Sequence, residues 1–256
     1  MFLSLLPSIY ILSVVGTQVP EQFHLALHGN ASLSVSFKSN ETSTPLTCMY
    51  GLGSNMSLTS SPSTVKSYFP GRGFYHHVLL SSLDFSEQYS YSCGGGPVFY
   101  FTSPPNPNAF SPFSLAVLGD WGYLGSKERG PSIHTGGLAQ NWSAVPVRTL
   151  LEGLKNNGLI DMILHTGDIS YADDGFGVDG DLLRFTYEDV YDAWGNWIQN
   201  LSAHLPYHVS VGNHEVSLNF SFECRARNEQ TQTKNSCPPT IHTQLIRVSV
   251  TRPLAF

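Results

Sequence analysis

Three short apolar runs of the chain each end in a glycine that is followed by a side chain able to bind a cation. These side chains are Asp120, Asp168 and Asn213. Because each run has the length and context of a buried parallel strand, whose carboxyl end is where function gathers in α/β sheets, we expect the three side chains to point into one pocket. Tyr171, three residues after Asp168, adds a phenolic oxygen, and His214, directly after Asn213, adds an imidazole. This donor set predicts a site for two cations that activate water against a phosphorus centre.

The sequence blocks around these residues resemble a known family. They are GDWG at 119–122, GDISY at 167–171 and GNHE at 212–215. In this order they are similar to the first three of five motifs of the purple acid phosphatases, a group within the metallophosphoesterases. The tyrosine of the second block separates the purple enzymes from most other metallophosphoesterases.

The resemblance implies a role for each of these residues. Asp120 and Tyr171 would bind a ferric ion, Asp168 would bridge both metals, and Asn213 would bind a second, divalent ion: zinc, manganese or iron. His214 is the catalytic candidate, beside the phosphate, where it would orient the phosphate or assist the leaving group. The implied activity is that of an acid phosphatase, which hydrolyses phosphate monoesters with a hydroxide activated by two metals.

The last two motifs of the family, VxxH and GHxH, have no match in the chain. After Glu215 the only histidine is His242, in TIHTQ. We therefore interpret the chain as the front part of such an enzyme, and its own activity as open. The alternatives are a non-catalytic secreted glycoprotein that keeps a β-sandwich and a remnant metal site, or another activity such as diesterase or phytase. We also expect the missing strands to leave an edge of the catalytic sheet exposed.

Other polar residues near the motifs are expected to support the site rather than bind metal. Asp173 and Asp174 are interpreted as loop residues behind the metal ligands. His165 precedes the second block on its strand, and a packed imidazole is the expectation there. Glu215 is expected to hydrogen-bond the loop.

Residues 18–104 are predicted to form an all-β sandwich, because apolar and polar residues alternate and Gly, Ser and Pro turns separate the runs. The resemblance identifies this part as fibronectin-III-like. Tyr91, two residues before Cys93, is typical of the tyrosine corner of such sandwiches. His76 and His77 are adjacent on one strand and should face opposite sides, which argues against a shared metal. Strands are predicted at 31–37, 47–50, 75–80, 89–92 and 98–101.

Residues 105–112 are predicted to be a Pro-rich linker, and residues 113–256 the N-terminal part of an α/β metallophosphoesterase domain. The resemblance makes this the front half of a four-layer α/β/β/α sandwich. Two apolar stripes at helical spacing predict two helices that pack on the sheet. The stripes are Val147, Leu150, Leu151 and Leu154, and Val190, Trp194, Trp197, Ile198 and Leu201.

The amino terminus indicates the secretory pathway. Residues 1–17 are expected to be a signal peptide, since their apolar run is too short to span a bilayer and small residues follow it. Six N-x-Ser/Thr triplets suggest a glycoprotein. We expect it to be secreted or delivered to a lysosome or vacuole, with no membrane span after signal cleavage. The triplets begin at Asn30, Asn40, Asn55, Asn141, Asn200 and Asn219.

The chain contains four cysteines, Cys48, Cys93, Cys224 and Cys237. In an oxidising compartment we expect disulfides, and of the three connectivities we favour Cys48–Cys93 with Cys224–Cys237.

The net charge is −6, with 13 basic against 19 acidic residues, which excludes a basic footprint for nucleic acid. The expected partner is a phosphate monoester, and homodimerisation is left open.

Overall fold

The computed structural model describes residues 19–40, 43–122, 145–172 and 187–216, together with the backbone of 246–250. The expected signal peptide, Asp173, Asp174, His242 and the Cys224–Cys237 pair lie outside the described residues. Within the described ranges, no helix combines the length and the hydropathy that a membrane-spanning helix needs.

The first part of the chain is a β-sandwich of two four-stranded antiparallel sheets, one in the order β1-β2-β6-β5 and the other β4-β3-β7-β8. Leu33, Val35 and Phe37 are buried between the sheets, as their alternation predicted. The strands are β1 (Glu21–Leu27), β2 (Leu33–Ser39), β3 (Cys48–Leu52), β4 (Leu58–Thr59), β5 (Thr64–Lys66), β6 (Phe74–Leu80), β7 (Gln88–Cys93) and β8 (Phe99–Thr102).

A disulfide between Cys48 and Cys93 joins β3 to β7, which confirms that pairing. Tyr91 does not form a tyrosine corner, so that interpretation is wrong. Its hydroxyl donates to the carbonyl oxygen of Ala203 at 2.9 Å, 112 residues along the chain. The side chain of Tyr91 is fully buried, and it ties the sandwich to the second domain.

His76 and His77 face opposite sides of their sheet, as predicted. His76 is buried in the core, where its ring stacks on Phe37 and its Nδ1 lies 2.9 Å from the Ser63 hydroxyl. His77 is bonded to the Ser36 hydroxyl on the other face, at 2.8 Å. The two rings therefore do not share a metal.

The second part of the chain is an α/β domain, and the predicted fold class is confirmed. Its main sheet has the order β13-β11-β9-β14, in which β9, β11 and β13 are parallel. The elements are β9 (Phe113–Leu118), β10 (Trp121–Gly122), α1 (Val145–Asn156), β11 (Met162–His165), β12 (Ile169–Ser170), α2 (Tyr187–Ser202), β13 (Tyr207–Val209), α3 (Asn213–Val216) and β14 (Ile246–Val250).

Strand β14 pairs antiparallel with β9, so the expectation of an exposed edge is wrong at β9. The reason is local, because residues 246–250 read IRVSV and alternate apolar with polar residues, the period of a strand. This strand covers backbone groups of β9 that would otherwise be open to other chains.

The two helices pack on the sheet with the predicted stripes, with one exception. All five stripe residues of α2 are buried, from Val190 to Leu201. In α1, Leu151 is fully buried, whereas Leu150 is 50% exposed and does not belong to the core. Helical spacing predicts which side of a helix is apolar, but it does not decide which of those side chains a neighbouring element covers.

Strand β1 connects the two domains. It lies against α2, and Leu25 forms a parallel bridge with Pro206 just before β13. Ala203, at the end of α2, is part of the buried core of the sandwich. The sandwich is therefore docked on the side of the domain that carries β13.

Candidate active site

The three motif blocks begin at the carboxyl ends of three neighbouring strands. In the sheet, His165 at the end of β11 pairs with Leu118 at the end of β9 and with Val209 at the end of β13. The strands thus end level with one another. Because β11 lies between the other two, Asp168 is placed between Asp120 on one side and the block of Asn213 on the other.

The turns after β9 and β11 bend sharply. Asp120, Asp168, Ser170 and Tyr171 all adopt left-handed backbone conformations, with φ between 53° and 64°. Each such residue costs on the order of 1 kcal/mol, and such strain concentrates at functional sites. Backbone pairing holds the turns in place, because β10 and β12 form a short parallel ladder with Trp121 opposite Ile169.

Asp120 and Tyr171 are in direct contact. The Tyr171 hydroxyl donates to Asp120 Oδ1 at 2.8 Å, and the tyrosine is only 1% exposed. A side chain at Gly122 would collide with the tyrosine, since an added Cβ would lie 2.6 Å from a ring carbon. The second glycine of GDWG therefore makes room for the tyrosine of GDISY.

The carboxyl group of Asp120 is shifted towards its protonated form. Burial raises its pKa, and the nearby Asp168 raises it further, whereas the hydrogen bond from Tyr171 acts in the opposite direction. Two carboxylates that repel each other in a partly buried site are a place where a cation is stabilised.

Glu215 holds two of the blocks together. Its Oε2 accepts hydrogen bonds from the N–H groups of Asp168 at 2.9 Å and Gly212 at 2.7 Å. Its Oε1 accepts from the N–H of Ile169 at 2.7 Å. The expectation that Glu215 hydrogen-bonds the loop is confirmed, and the carboxylate fixes the turn after β11 against the turn after β13.

The approach of these two turns is close enough to require a glycine. An added Cβ on Gly212 would lie 2.2 Å from Asp168 Oδ1. The same Asp168 oxygen accepts the backbone N–H of His214 at 3.0 Å. Any other residue at 212 would push Asp168 out of this position.

His214 and Asn213 stand at the start of the short helix α3. The ring centroid of His214 lies 4.3 Å from that of Tyr171, at a tilt of 51°. Asn213 is exposed, so its amide is open to a ligand. Direct contacts therefore join Asp120, Asp168, Tyr171 and His214, and Asn213 lies beside them in the same turn.

The donors of this cluster fit hard cations. All four proposed ligands are oxygens, which suit hard ions such as ferric iron. The 2.8 Å between the Tyr171 and Asp120 oxygens is close to the separation of about 2.9 Å between adjacent oxygen ligands of an octahedral ion bound at about 2.0–2.1 Å. Within the described ranges no group of three His, Cys, Asp or Glu residues is placed to hold a metal ion.

His165 is a packed residue, as expected. It is fully buried, its Nδ1 lies 2.9 Å from the Tyr207 hydroxyl, and its ring lies against Trp121 and Trp194. Burial lowers its pKa to about 3, so the ring is neutral. Its contacts support the end of β11, next to the site.

Thr166 is a supporting residue that the sequence reasoning missed. Its backbone N–H and its hydroxyl both donate to the carbonyl oxygen of Leu118, at 2.7 Å and 3.1 Å. It thereby joins the end of β11 to the end of β9. A small polar residue directly before the Gly-Asp pair was the available signal.

Comparison with known proteins agrees with this geometry. Residues 20–105 match the family described as "Purple acid Phosphatase, N-terminal domain". Residues 113–243 match the family described as "Calcineurin-like phosphoesterase". The second match covers all three motif blocks.

Individual relatives and a solved structure belong to the same group. The chain is 31% identical over 226 residues to acid phosphatase type 7 of Danio rerio, covering 83% of this chain and 43% of that protein. It is 25% identical over 213 residues to the Fe(3+)-Zn(2+) purple acid phosphatase 12 of Arabidopsis thaliana, covering 79% of this chain and 39% of that protein. The structure of a purple acid phosphatase from yellow lupin (Lupinus luteus) seeds has a similar fold, with a TM-score of 0.59 at 16% identity over 77% of this chain and 36% of that one.

The chain thus spans less than half the length of each of these relatives. The family match covers the larger part of the chain, and the motif blocks that it contains meet at one edge of one sheet. The chain belongs to the calcineurin-like phosphoesterases and, within them, to the purple acid phosphatases.

Proposed function

We propose that the protein to which this chain belongs hydrolyses phosphate monoesters at the site formed by the three sequence blocks. One observation carries the proposal: Asp168 is bonded to the backbone of His214, while the neighbouring Tyr171 is bonded to Asp120. The site is thus a single polar cluster rather than three separate turns. The phosphatase relatives favour an enzyme over a non-catalytic glycoprotein.

The residues that would hold the metals are Asp120, Asp168, Tyr171 and Asn213. We propose a ferric ion beside Asp120 and Tyr171, a divalent zinc, manganese or iron ion beside Asn213, and Asp168 between them. The name of the Arabidopsis relative, which specifies Fe(3+) and Zn(2+), supports this pair. When bound, two such ions supply Lewis acidity, which lowers the pKa of water and stabilises charge on phosphate.

The remaining residues orient the substrate and the ligands. His214 lies against Tyr171 and is half-buried, so its imidazole can hydrogen-bond a phosphate oxygen or protonate the leaving alkoxide. Glu215 keeps the backbone of Asp168 and Gly212 at fixed separation. Tyr171 holds the Asp120 carboxylate in one orientation.

The proposal is tested by measuring metal content, visible absorption and phosphatase activity on one preparation of the chain. We expect bound iron with a tyrosinate absorption band that Tyr171→Phe removes, and hydrolysis of a phosphate monoester at acidic pH that His214→Ala lowers by about 10²–10⁴-fold. Tyr68→Phe is the matched control, since Tyr68 is 64% exposed in the sandwich. A preparation with stoichiometric iron and zinc but no turnover would refute the activity.

We further propose that the protein passes through the secretory pathway and carries N-linked glycans. The support is the disulfide Cys48–Cys93 and the exposure of the four described acceptor residues, which are Asn30, Asn40, Asn55 and Asn200. Expression in a eukaryotic secretory host should give protein in the medium whose mass falls on treatment with an N-glycosidase. Light scattering of that material tests whether it is a homodimer.

A further inference from the structure

Two histidines hydrogen-bond between strands β1 and β13, where the sandwich meets the catalytic domain. The backbone N–H of Leu27 in β1 donates to Nε2 of His208 in β13, at 3.0 Å. In the other direction, Nε2 of His24 in β1 is hydrogen-bonded to the carbonyl oxygen of Tyr207 in β13. Both bonds lie where β1 meets β13, which we call the histidine end of the interface.

The bond to His208 requires a neutral ring. An imidazole nitrogen accepts a hydrogen bond only through a free lone pair, so Nε2 of His208 is unprotonated and the ring proton is on Nδ1. Protonation of Nε2 would set one N–H against the N–H of Leu27. The bond would be lost, and a partly buried positive charge would take its place.

Within the part of the chain that the structure describes, no anionic side chain pairs with either ring. Among the described residues, neither His24 nor His208 contacts a carboxylate. Burial lowers the pKa of His24 to about 4, with a further lowering by His208, and burial also lowers the pKa of His208. Strand β1 itself carries Glu21 and the adjoining β2 carries Lys38, and these two groups lie within 4.0 Å of each other at the far end of β1 from Leu27. The charged groups of α2 are Glu188, Asp189 and Asp192, which lie near Lys38 and Arg72. His204, which follows α2, has its Nδ1 2.7 Å from the carbonyl oxygen of Tyr100, and burial lowers its pKa.

The opposite end of the interface is held by ion pairs, which we call the charged end. The Lys38 ammonium is 2.5 Å from Asp192 of α2, and the Arg72 guanidinium is paired with Asp189. Lys38 is 3% exposed, so its pair is shielded from salt. Neither pair contains a histidine, so protonation of an imidazole does not remove it.

We propose that the domain interface is a pH-sensitive hinge, whose histidine end opens in acid while the charged end stays attached. The sandwich would then move relative to the β13 side of the catalytic domain. This inference concerns the domain contact and does not depend on the proposed enzymatic activity.

The direction follows from proton linkage. In the docked state His24 stays neutral down to about pH 4, whereas a solvated imidazole binds a proton below about pH 6.5. The open state therefore binds more protons between these values, and docking is lost as the pH falls through that window. From pH 7.5 to pH 5.0 His24 alone shifts the equilibrium towards the open state by about 30-fold.

The test is amide hydrogen exchange of the full chain at pH 7.5 and pH 5.0, corrected for the pH dependence of intrinsic exchange. We expect the Leu27 amide to lose protection by about 30-fold or more, and the amides of β7, inside the sandwich, to keep theirs. The double variant His24→Gln, His208→Gln retains hydrogen-bonding groups that do not titrate, so its Leu27 protection should not change with pH. His28→Gln is the control, since His28 is exposed beside β1.

Three results would overturn the hinge. Equal Leu27 protection at both pH values would show that the histidine end does not open. An unchanged pH dependence in the double variant would assign the opening to other groups. Loss of near-ultraviolet circular dichroism at pH 5.0 together with loss of β7 protection would show acid unfolding of the whole chain instead.

Discussion

Replacing Glu215 by glutamine tests how the two turns that carry Asp168 and Asn213 are held together. The Glu215 carboxylate accepts three backbone N–H groups, two at Oε2 and one at Oε1. Glutamine has the same shape but only one accepting oxygen. If its oxygen takes the place of Oε2, the N–H of Ile169 faces an amide NH₂ and remains without an acceptor.

The cost follows from the number of bonds lost. A hydrogen bond to a charged group contributes about 1.5–3 kcal/mol, and an unsatisfied N–H costs a similar amount. We expect Glu215→Gln to lower the unfolding free energy of the catalytic domain by about 2 kcal/mol. Because the variant also loosens Asp168, we expect affinity for Zn²⁺ or Mn²⁺ to fall by about 10- to 100-fold.

The assay is urea denaturation followed by tryptophan fluorescence, with metal titration by calorimetry. The four tryptophans all lie in residues 113–256, so fluorescence reports on the catalytic domain. Glu87→Gln is the control, since Glu87 is an exposed residue of the sandwich. If Glu215→Gln unfolds at the same urea concentration as the parent chain and binds metal within twofold, the carboxylate does not hold the turns.

Three other perturbations follow from the described contacts. Gly122→Ala should destabilise the catalytic domain by about 1–3 kcal/mol, because the added methyl group overlaps Tyr171. Gly153→Ala is the control on α1, where the added methyl group meets no atom within 4 Å, and it should stabilise the domain by about 0.5–1 kcal/mol. Urea unfolding of both variants checks the difference. Burial lowers the pKa of His165 to about 3, so between about pH 6.5 and pH 3 only the unfolded chain binds a proton at this residue. The unfolding free energy of the domain should therefore fall by about 1.4 kcal/mol per pH unit as the pH falls below about 6.5. His165→Asn should reduce this slope, measured by denaturation at pH 7 and pH 5. Tyr91→Phe should cost about 1–2 kcal/mol, since it leaves a buried carbonyl without its donor, and an unchanged thermal midpoint would contradict this.

Part of the site could be predicted from the sequence, because the residues that signal it lie close together in the chain. A glycine at the end of an apolar run, followed by Asp120, Asp168 or Asn213, predicted three turns at strand ends, and the parallel sheet placed them at one edge. The sequence also predicted that Glu215 hydrogen-bonds the loop, and in the structure its carboxylate accepts the backbone N–H of Asp168. In both cases the residues involved lie within a few positions of the motif.

The errors concern contacts between distant parts of the chain. Tyr91 carries the spacing of a tyrosine corner, yet its hydroxyl bonds to Ala203 because the sandwich docks against the end of α2. Leu150 has the right helical phase but is 50% exposed, because helical phase alone does not decide which side chains of a helix meet another element. Strand β14 pairs with β9 across more than a hundred residues, which local alternation alone does not reveal.

The sequence by itself determined the family, the order of the two domains and the chemical types of the candidate site residues, because these depend on residue identity and short spacing. Only the tertiary structure decided that Asp120 meets Tyr171, that Asp168 meets the turn of His214, and that His24 and His208 lie at a domain interface. Those contacts depend on strand order, register and docking. They are set by the summed burial of both domains rather than by any single segment.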